Sequence, residues 1–183
     1  RDNAMRITFV MMGWENLSVQ YISSYLKQQG HEVKLAYDQS LFEDKNYLSM
    51  PFLAKIFDQG KNIVKQTIDT APDLVCFSVM SVTHQWALKT AKEVKKHLDV
   101  PIVFGGIHAI ICPEEIIVKE QVDMVCLGEG EYALDELLNS IQKGSIDTSL
   151  KGFYFKKANG EIIRNEKRAL IADMDAMPFP DKE

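Results

Sequence analysis

Five short, predominantly apolar runs constrain this chain more than any other feature: Ile7 to Met12, Val33 to Tyr37, Leu74 to Phe77, Ile102 to Phe104 and Val122 to Leu127. Runs of this length with little polar alternation are characteristic of strands covered on both faces, as in a parallel sheet. Helical patterns separate them. Val19, Ile22, Tyr25 and Leu26 precede Gly30, a natural helix stop. Leu53, Ile56, Phe57, Ile63, Val64 and Ile68 follow Pro51. Ala87, Leu88, Ala91, Val94 and Leu98 share one face, with Lys89, Lys92, Lys95 and Lys96 mostly on the other. Leu134, Leu137, Leu138 and Ile141 are spaced i, i+3, i+4, i+7 before Gly144. Strands alternating with helices predict an α/β, doubly wound domain on a five-stranded parallel sheet with right-handed crossovers.

The expected strand order is Rossmann-like, of the flavodoxin-like kind, which binds ligands at the carboxyl ends of its strands where the first and third diverge. Four loops meet there: Gly13 to Ser18, Ser78 to His84, Gly105 to Cys112, and Gly128 to Glu131. The chain's unusual residues fall in them. Gly13, Trp14, Glu15 and Asn16 follow the first strand, and Ser78, Ser81 and Thr83 place hydroxyls after the third. Gly105 and Gly106 have no Cβ, so the backbone there can approach a flat or elongated ligand or make a tight strand-to-helix turn. His108 follows, without partners at zinc-ligand spacing. Gly128-Glu129-Gly130-Glu131 is not a phosphate cradle, because two carboxylates repel the anion that a helix terminus attracts. These carboxylates suit helix capping and acceptance of hydrogen bonds from amides; acid/base catalysis would need a nucleophile or metal that the sequence does not place nearby.

Composition narrows the partners. A net charge of −5 with no basic stripe argues against nucleic acid. No apolar run approaches a membrane span of roughly 20 residues, and no signal peptide is visible. Three cysteines, two within apolar strands, imply reduced thiols and a cytoplasmic setting. At 183 residues and 46% hydrophobic, the chain can bury one sizeable core.

After Gly144 the pattern changes. Gly152 to Lys157, Ala158-Asn159-Gly160 and Glu161 to Arg164 read as a β-hairpin extension turning at Asn-Gly. The expected organisation is a vector remnant at 1–4, a ligand-binding α/β domain at 5–144, a hairpin at 145–169, and a linker at 170–183 ending in Met177-Pro178-Phe179-Pro180-Asp181.

Gly-Gly-x-His-Ala with Pro113-Glu114-Glu115, Asp123-x-Val125 with Gly-Glu-Gly-Glu, the Asn-Gly hairpin and the Met-Pro-Phe-Pro-Asp exit occur in this order. The combination resembles the N-terminal cobalamin (B12)-binding domain of B12-dependent radical SAM proteins, a family that includes the anaerobic magnesium-protoporphyrin IX monomethyl ester cyclase and many methyltransferases. The resemblance implies that this domain binds cobalamin, with the nucleotide tail slotting beside the sheet at Gly105 and Gly106. Ser78, Ser81 and Thr83 then suit the tail's ring or phosphate, although Thr83 equally suits the N-cap of the next helix. His108 suits a corrin amide or tail phosphate, or is a satisfied structural histidine. The resemblance further implies an iron–sulfur oxidoreductase domain on the same polypeptide, carrying a [4Fe-4S] cluster and S-adenosylmethionine.

Two departures matter. The family's cluster is held by a Cys-x3-Cys-x2-Cys triplet, whereas Cys76, Cys112 and Cys126 lie 36 and 14 residues apart; this chain is therefore not expected to be catalytic alone. Classical cobalamin domains carry Asp-x-His-x-x-Gly after the first strand; the matching positions are Gly13, Glu15 and Ser18. The axial histidine is missing, which predicts base-off cobalamin with no protein histidine on cobalt and no metal ligand from this chain. Glu15 or Asn16 would hold a water below the metal or belong to an ordinary solvated loop. Rival readings are a docking domain that binds no cobalamin, and a different small-molecule-binding α/β domain. Met12 to Leu17 lacks the Gly-x-Gly-x-x-Gly that a dinucleotide site wants.

Overall fold

Strand β1 (Arg6–Met12) pairs in parallel with β2 (Glu32–Asp38) on one side and β3 (Leu74–Ser78) on the other. Then β4 (Ile102–Gly105) pairs with β3, and β5 (Met124–Cys126) with β4, both in parallel. The computed structural model describes residues 4–13, 16–38 and 60–182. Trp14, Glu15 and the segment containing Pro51, Leu53, Ile56 and Phe57 lie outside these described residues.

The hairpin does not stand apart from the sheet. Its strands β6 (Phe153–Lys156) and β7 (Ile162–Arg164) add antiparallel to β5, giving one seven-stranded sheet in the order β2-β1-β3-β4-β5-β6-β7. Asn159 accepts the Glu161 N–H at 3.0 Å and Gly160 takes φ +84°, so the Asn-Gly pair closes the turn as its chemistry predicts. The parallel part, 2-1-3-4-5, reverses direction between β1 and β3, so the switch point lies where the sequence places it.

The fifth apolar run yields a shorter strand than expected. Val122 closes the turn out of the preceding helix by donating to the Lys119 carbonyl. The Asp123 carboxylate accepts the Ile102 N–H at 2.7 Å and pairs with Lys95 at 2.6 Å, while its backbone bonds the Ile102 carbonyl and the Lys156 N–H, so the residue anchors the strand's entry to both neighbours.

Helices cover both faces. One face carries α1 (Leu17–Gln28) and the helix Glu131–Gln142, over Phe9, Cys76, Val103 and Cys126. The other carries Gly60–Asp69, His84–Lys95 and two short helices, Ile107–Ile111 and Pro113–Ile117, over Val10, Phe77, Phe104 and Val125. In chain order these are α2 (Gly60–Asp69), α3 (His84–Lys95), α4 (Ile107–Ile111), α5 (Pro113–Ile117) and α6 (Glu131–Gln142). Side chains alternate along each strand, so every strand feeds both layers of core. Phe77 and Phe104 stack at 5.0 Å in the second layer. Among the described residues, no helix is long and apolar enough to cross a membrane.

Candidate functional site

The loops at the carboxyl ends of the strands are tied to one another before any ligand is considered. Asn16 caps α1 by accepting the Val19 N–H at 3.3 Å, and its amide donates to the Ser78 hydroxyl at 3.0 Å. The start of α1 is thereby fastened to the end of β3, across the switch point. On the next pair of strands, the Val79 N–H donates to the Gly105 carbonyl at 2.9 Å and the His108 N–H donates to the Val79 carbonyl at 3.1 Å. This close approach explains Gly106. It sits at φ +85°, ψ 176°, and a Cβ there would lie 2.7 Å from the Val79 nitrogen and 2.8 Å from its oxygen. Its glycine is therefore demanded by the protein's own backbone. Gly105 differs: a Cβ would meet only the Cys126 Cβ, at an ordinary 3.8 Å.

Between these loops opens a cleft of about 840 Å³. Phe9, Cys76, Val103 and Cys126 form its floor, Val19 and Ile22 of α1 and Leu134 of α6 its walls, and Asn16, Ser78 and the Gly-Glu-Gly-Glu loop its rim. It therefore runs from the strand ends down between the sheet and two helices. Gly130 lies close beneath α1: a Cβ at this position would stand 2.8 Å from the Ile22 side-chain tip, which would have to turn aside.

The structure brings Asn16, Ser78, Gly105, Gly106, Gly128, Glu129, Gly130 and Glu131 onto this cleft. Ser81, Thr83, His108 and Gly13 are not among its lining residues, and Trp14 and Glu15 lie outside the described residues. Thr83 occupies the N-cap position of α3 but makes no cap bond; its hydroxyl instead accepts the Met80 N–H at 3.1 Å and closes that turn. The Gly13 carbonyl accepts from the Tyr37 hydroxyl. Phe9, Val19, Ile22 and Leu134 carry the apolar periodicity of core, which cannot separate a core position from a cleft wall that faces the same layer.

His108 belongs to a cluster behind the rim. Its ring stacks on His84 at 4.2 Å, and its Nδ1 lies 3.1 Å from the Ser81 hydroxyl, while Nε2 is buried without a partner. His84 Nδ1 lies 2.7 Å from the Ser81 carbonyl. The cluster joins the loop after β3 to α4. Burial, then the neighbouring His84, hold the His108 pKa below its ordinary value, with Glu115 opposing weakly. A depressed folded value means that the unfolded chain binds the proton more readily. This contribution to stability is accordingly present above the ordinary histidine value and is lost as pH falls from there through the lowered folded value. His31 and His97 stand at the opposite end of the sheet, before β2 and after α3.

The carboxylates of the rim are not alike. Glu129 accepts the Ile171 N–H at 2.6 Å. Glu131 opens α6 with one carboxylate oxygen buried and unpartnered, and burial chiefly, with Glu129 adding, pushes its pKa up. A carboxyl whose folded pKa is raised contributes most at low pH and loses that contribution as pH rises through the folded value. Glu131→Gln is therefore expected to raise the melting temperature at neutral pH, with the difference from the parent chain narrowing toward pH 4; melts followed by circular dichroism across that range check it. The floor thiols are inert by the same physics. Burial pushes Cys126 up to about 12 and Cys76 well above its usual value, so both stay protonated. Among the described residues, no three His, Cys, Asp or Glu side chains gather as a metal site.

An open parallel sheet with a deep cleft at its switch point, low in side-chain bulk at Gly105 and acceptor-rich at one rim, defines a ligand-binding α/β module. Residues 10–138 match the B12 binding domain, and the chain belongs to that family. An uncharacterised methyltransferase of Pyrococcus horikoshii is 29% identical over 166 residues, covering 90% of this chain but 32% of the relative. The cobalamin-dependent S-adenosylmethionine radical enzyme OxsB, solved with aqua-cobalamin and S-adenosylmethionine bound, superimposes with a TM-score of 0.74 at 22% identity over 97% of this chain and 24% of its own. The radical S-adenosylmethionine methyltransferase TsrM from Kitasatospora setae, with cobalamin and a [4Fe-4S] cluster bound, gives 0.69 at 18% identity, covering 97% of this chain and 31% of its own. The chain thus spans a third or less of the length of these proteins.

Proposed function

We propose that this chain is the cobalamin-binding module of a B12-dependent radical SAM enzyme, and that it takes the cofactor base-off with no protein histidine on cobalt. The observation that carries the reading is the direction of the cleft. A slot running from the strand ends to Val103 and Leu134, beneath α1 and α6, has the shape for an elongated, partly aromatic group such as the cofactor's nucleotide tail. A tail base held there is withdrawn from the corrin, which would lie over the strand ends. The residues present fit such a group. The floor is apolar and uncharged, Leu17, Met80 and Ile107 stay exposed around the mouth to cover a flat macrocycle, and Glu129 and Glu131 supply acceptors for amide N–H groups.

The missing axial ligand agrees with the placement of the histidines. Two lie at the far end of the sheet, and the other two stack on each other behind the rim. Within this reading, Ser78 and the backbone at Gly105 and Gly128 position the tail, and the walls from α1 and α6 exclude water from it. Bound cobalamin supplies a cobalt centre able to exchange a one-carbon group or electrons with a neighbouring active site. The cluster and S-adenosylmethionine belong to a further domain of the whole protein, which we read as a methyltransferase or an oxidative cyclase.

Titration of the purified chain with hydroxocobalamin, followed by desalting and a visible spectrum, tests this. Retained corrinoid with the base-off spectrum is the expected result. A folded, colourless protein would overturn it in favour of a docking domain.

A further inference from the structure

The last segment of the chain, read from its sequence as a linker, is bound to the domain at both ends. Arg168 makes a bidentate ion pair with Glu136 of α6, at 2.6 and 3.0 Å. Three residues on, the Ile171 N–H is held by Glu129 at the rim. At the far end, the Asp181 carboxylate accepts from the Ser23 hydroxyl at 2.5 Å and pairs with Lys27 at 2.6 Å, while its N–H donates to the Gln20 carbonyl at 3.1 Å. All three of these partners are on α1. The segment therefore spans from α6 to α1, the two helices that wall the cleft.

Its midpoint is shaped. The Asp173 carboxylate accepts the N–H groups of Asp175 and Ala176 at 3.1 and 3.3 Å, and the Met177 N–H donates to the Met174 carbonyl at 3.2 Å. This turn presents Met174, which lines the cleft although it is 57% exposed. A methionine that touches a cavity while packing little against the protein has apolar surface to give to whatever enters, and its flexible thioether adapts to an irregular partner.

We infer that residues 168–181 form a retaining strap, in which Met174 contacts the molecule in the cleft and Arg168, Asp173 and Asp181 position it; the inference rests on the cofactor reading above. The alternative role for such a segment is a plug. The geometry opposes a plug, because the cleft keeps its volume of about 840 Å³ with the strap docked at both ends. A docked strap is thus compatible with an occupied cleft and acts on departure more than on entry. Glu129 links the two directly, since one carboxylate both lines the cleft and holds the strap's backbone.

The test uses the whole chain loaded with hydroxocobalamin, with release followed by visible absorbance after dilution into excess competing corrinoid-binding protein. Met174→Ala is expected to release the corrinoid about tenfold faster, as loss of an apolar side chain that the bound molecule covers implies. Asp181→Ala should change release in the same direction, and Met174→Leu should restore it to within about twofold, since the swap nearly conserves volume. Uptake rates and the melting temperature of the ligand-free Met174→Ala chain should hardly change, which a merely structural role would not give. Trypsin cleavage at Arg168 should slow on loading. Equal release rates for the parent chain and Met174→Ala, both carrying corrinoid, would overturn the strap alone. Faster uptake by the Asp181 and Met174 variants would overturn retention in favour of a gate. A parent chain that takes up no corrinoid would overturn the cofactor reading and the strap with it.

Discussion

Gly106→Ala is expected to destabilise the domain by about 2–6 kcal/mol, combining roughly 1–3 kcal/mol for a backbone region almost closed to L side chains with about 1–3 kcal/mol for overpacking. The two costs have separate origins in the structure. At φ +85°, ψ 176° the residue lies where nearly only glycine is found. A Cβ would also press on the Val79 nitrogen and oxygen at 2.7 and 2.8 Å. Those atoms belong to the bonds from Val79 to Gly105 and from His108 to Val79, so they cannot move without parting the two rim loops. Gly13→Ala is the control. Its φ is +93° but nothing lies within 4 Å of the added methyl, so only the conformational cost applies. Denaturant melts of the two variants should place Gly106→Ala well below Gly13→Ala; equal losses would show that the Val79 contact carries no energy.

The same pair of glycines marks what the sequence could and could not say. The five apolar runs and the helical spacings between them specify the layers, because burial on both faces leaves little freedom in residue choice. The switch point follows from strand order, and with it the four loops of the site. What sequence could not separate is a glycine required by a ligand from one required by the backbone. Gly105 and Gly106 read identically and both border the cleft, yet the Val79 backbone closes Gly106 to a side chain while Gly105 leaves room toward Cys126. Ser78 and Ser81 likewise read as one set of hydroxyls. Ser78 reaches the rim and holds Asn16, while Ser81 turns back to His108. The walls from Val19, Ile22 and Leu134 carry no signal distinct from core, and the strap was legible only as a change of character after the hairpin. Its anchors, Arg168 with Glu136 and Asp181 with Lys27, join residues 32 and more than a hundred positions apart, beyond the reach of any local pattern.

Gly105→Phe is expected to abolish corrinoid uptake, weakening it at least about 100-fold, or about 2.7 kcal/mol, while leaving the fold intact. Along β4, Phe104 points into the layer under α3 to α5 and Val103 into the layer under α1 and α6. Alternation then sends the side chain at 105 toward the cleft. The first atom of that side chain meets only Cys126 at 3.8 Å, and this glycine has no positive φ to strain. An aromatic residue also suits a strand better than glycine does. The ring must therefore enter the cleft beside Cys126 and Val103, in the space assigned to the nucleotide tail. Desalting after hydroxocobalamin treatment, with melts of the ligand-free variant and parent chains, reads both outcomes. A colourless variant whose ligand-free form melts within about 5 °C of the ligand-free parent chain, a shift of roughly 1–2 kcal/mol for a domain of this size, beside a parent that retains colour, places the tail in the cleft. A variant that still retains corrinoid would move the cofactor off the sheet face and leave the cleft to some other ligand.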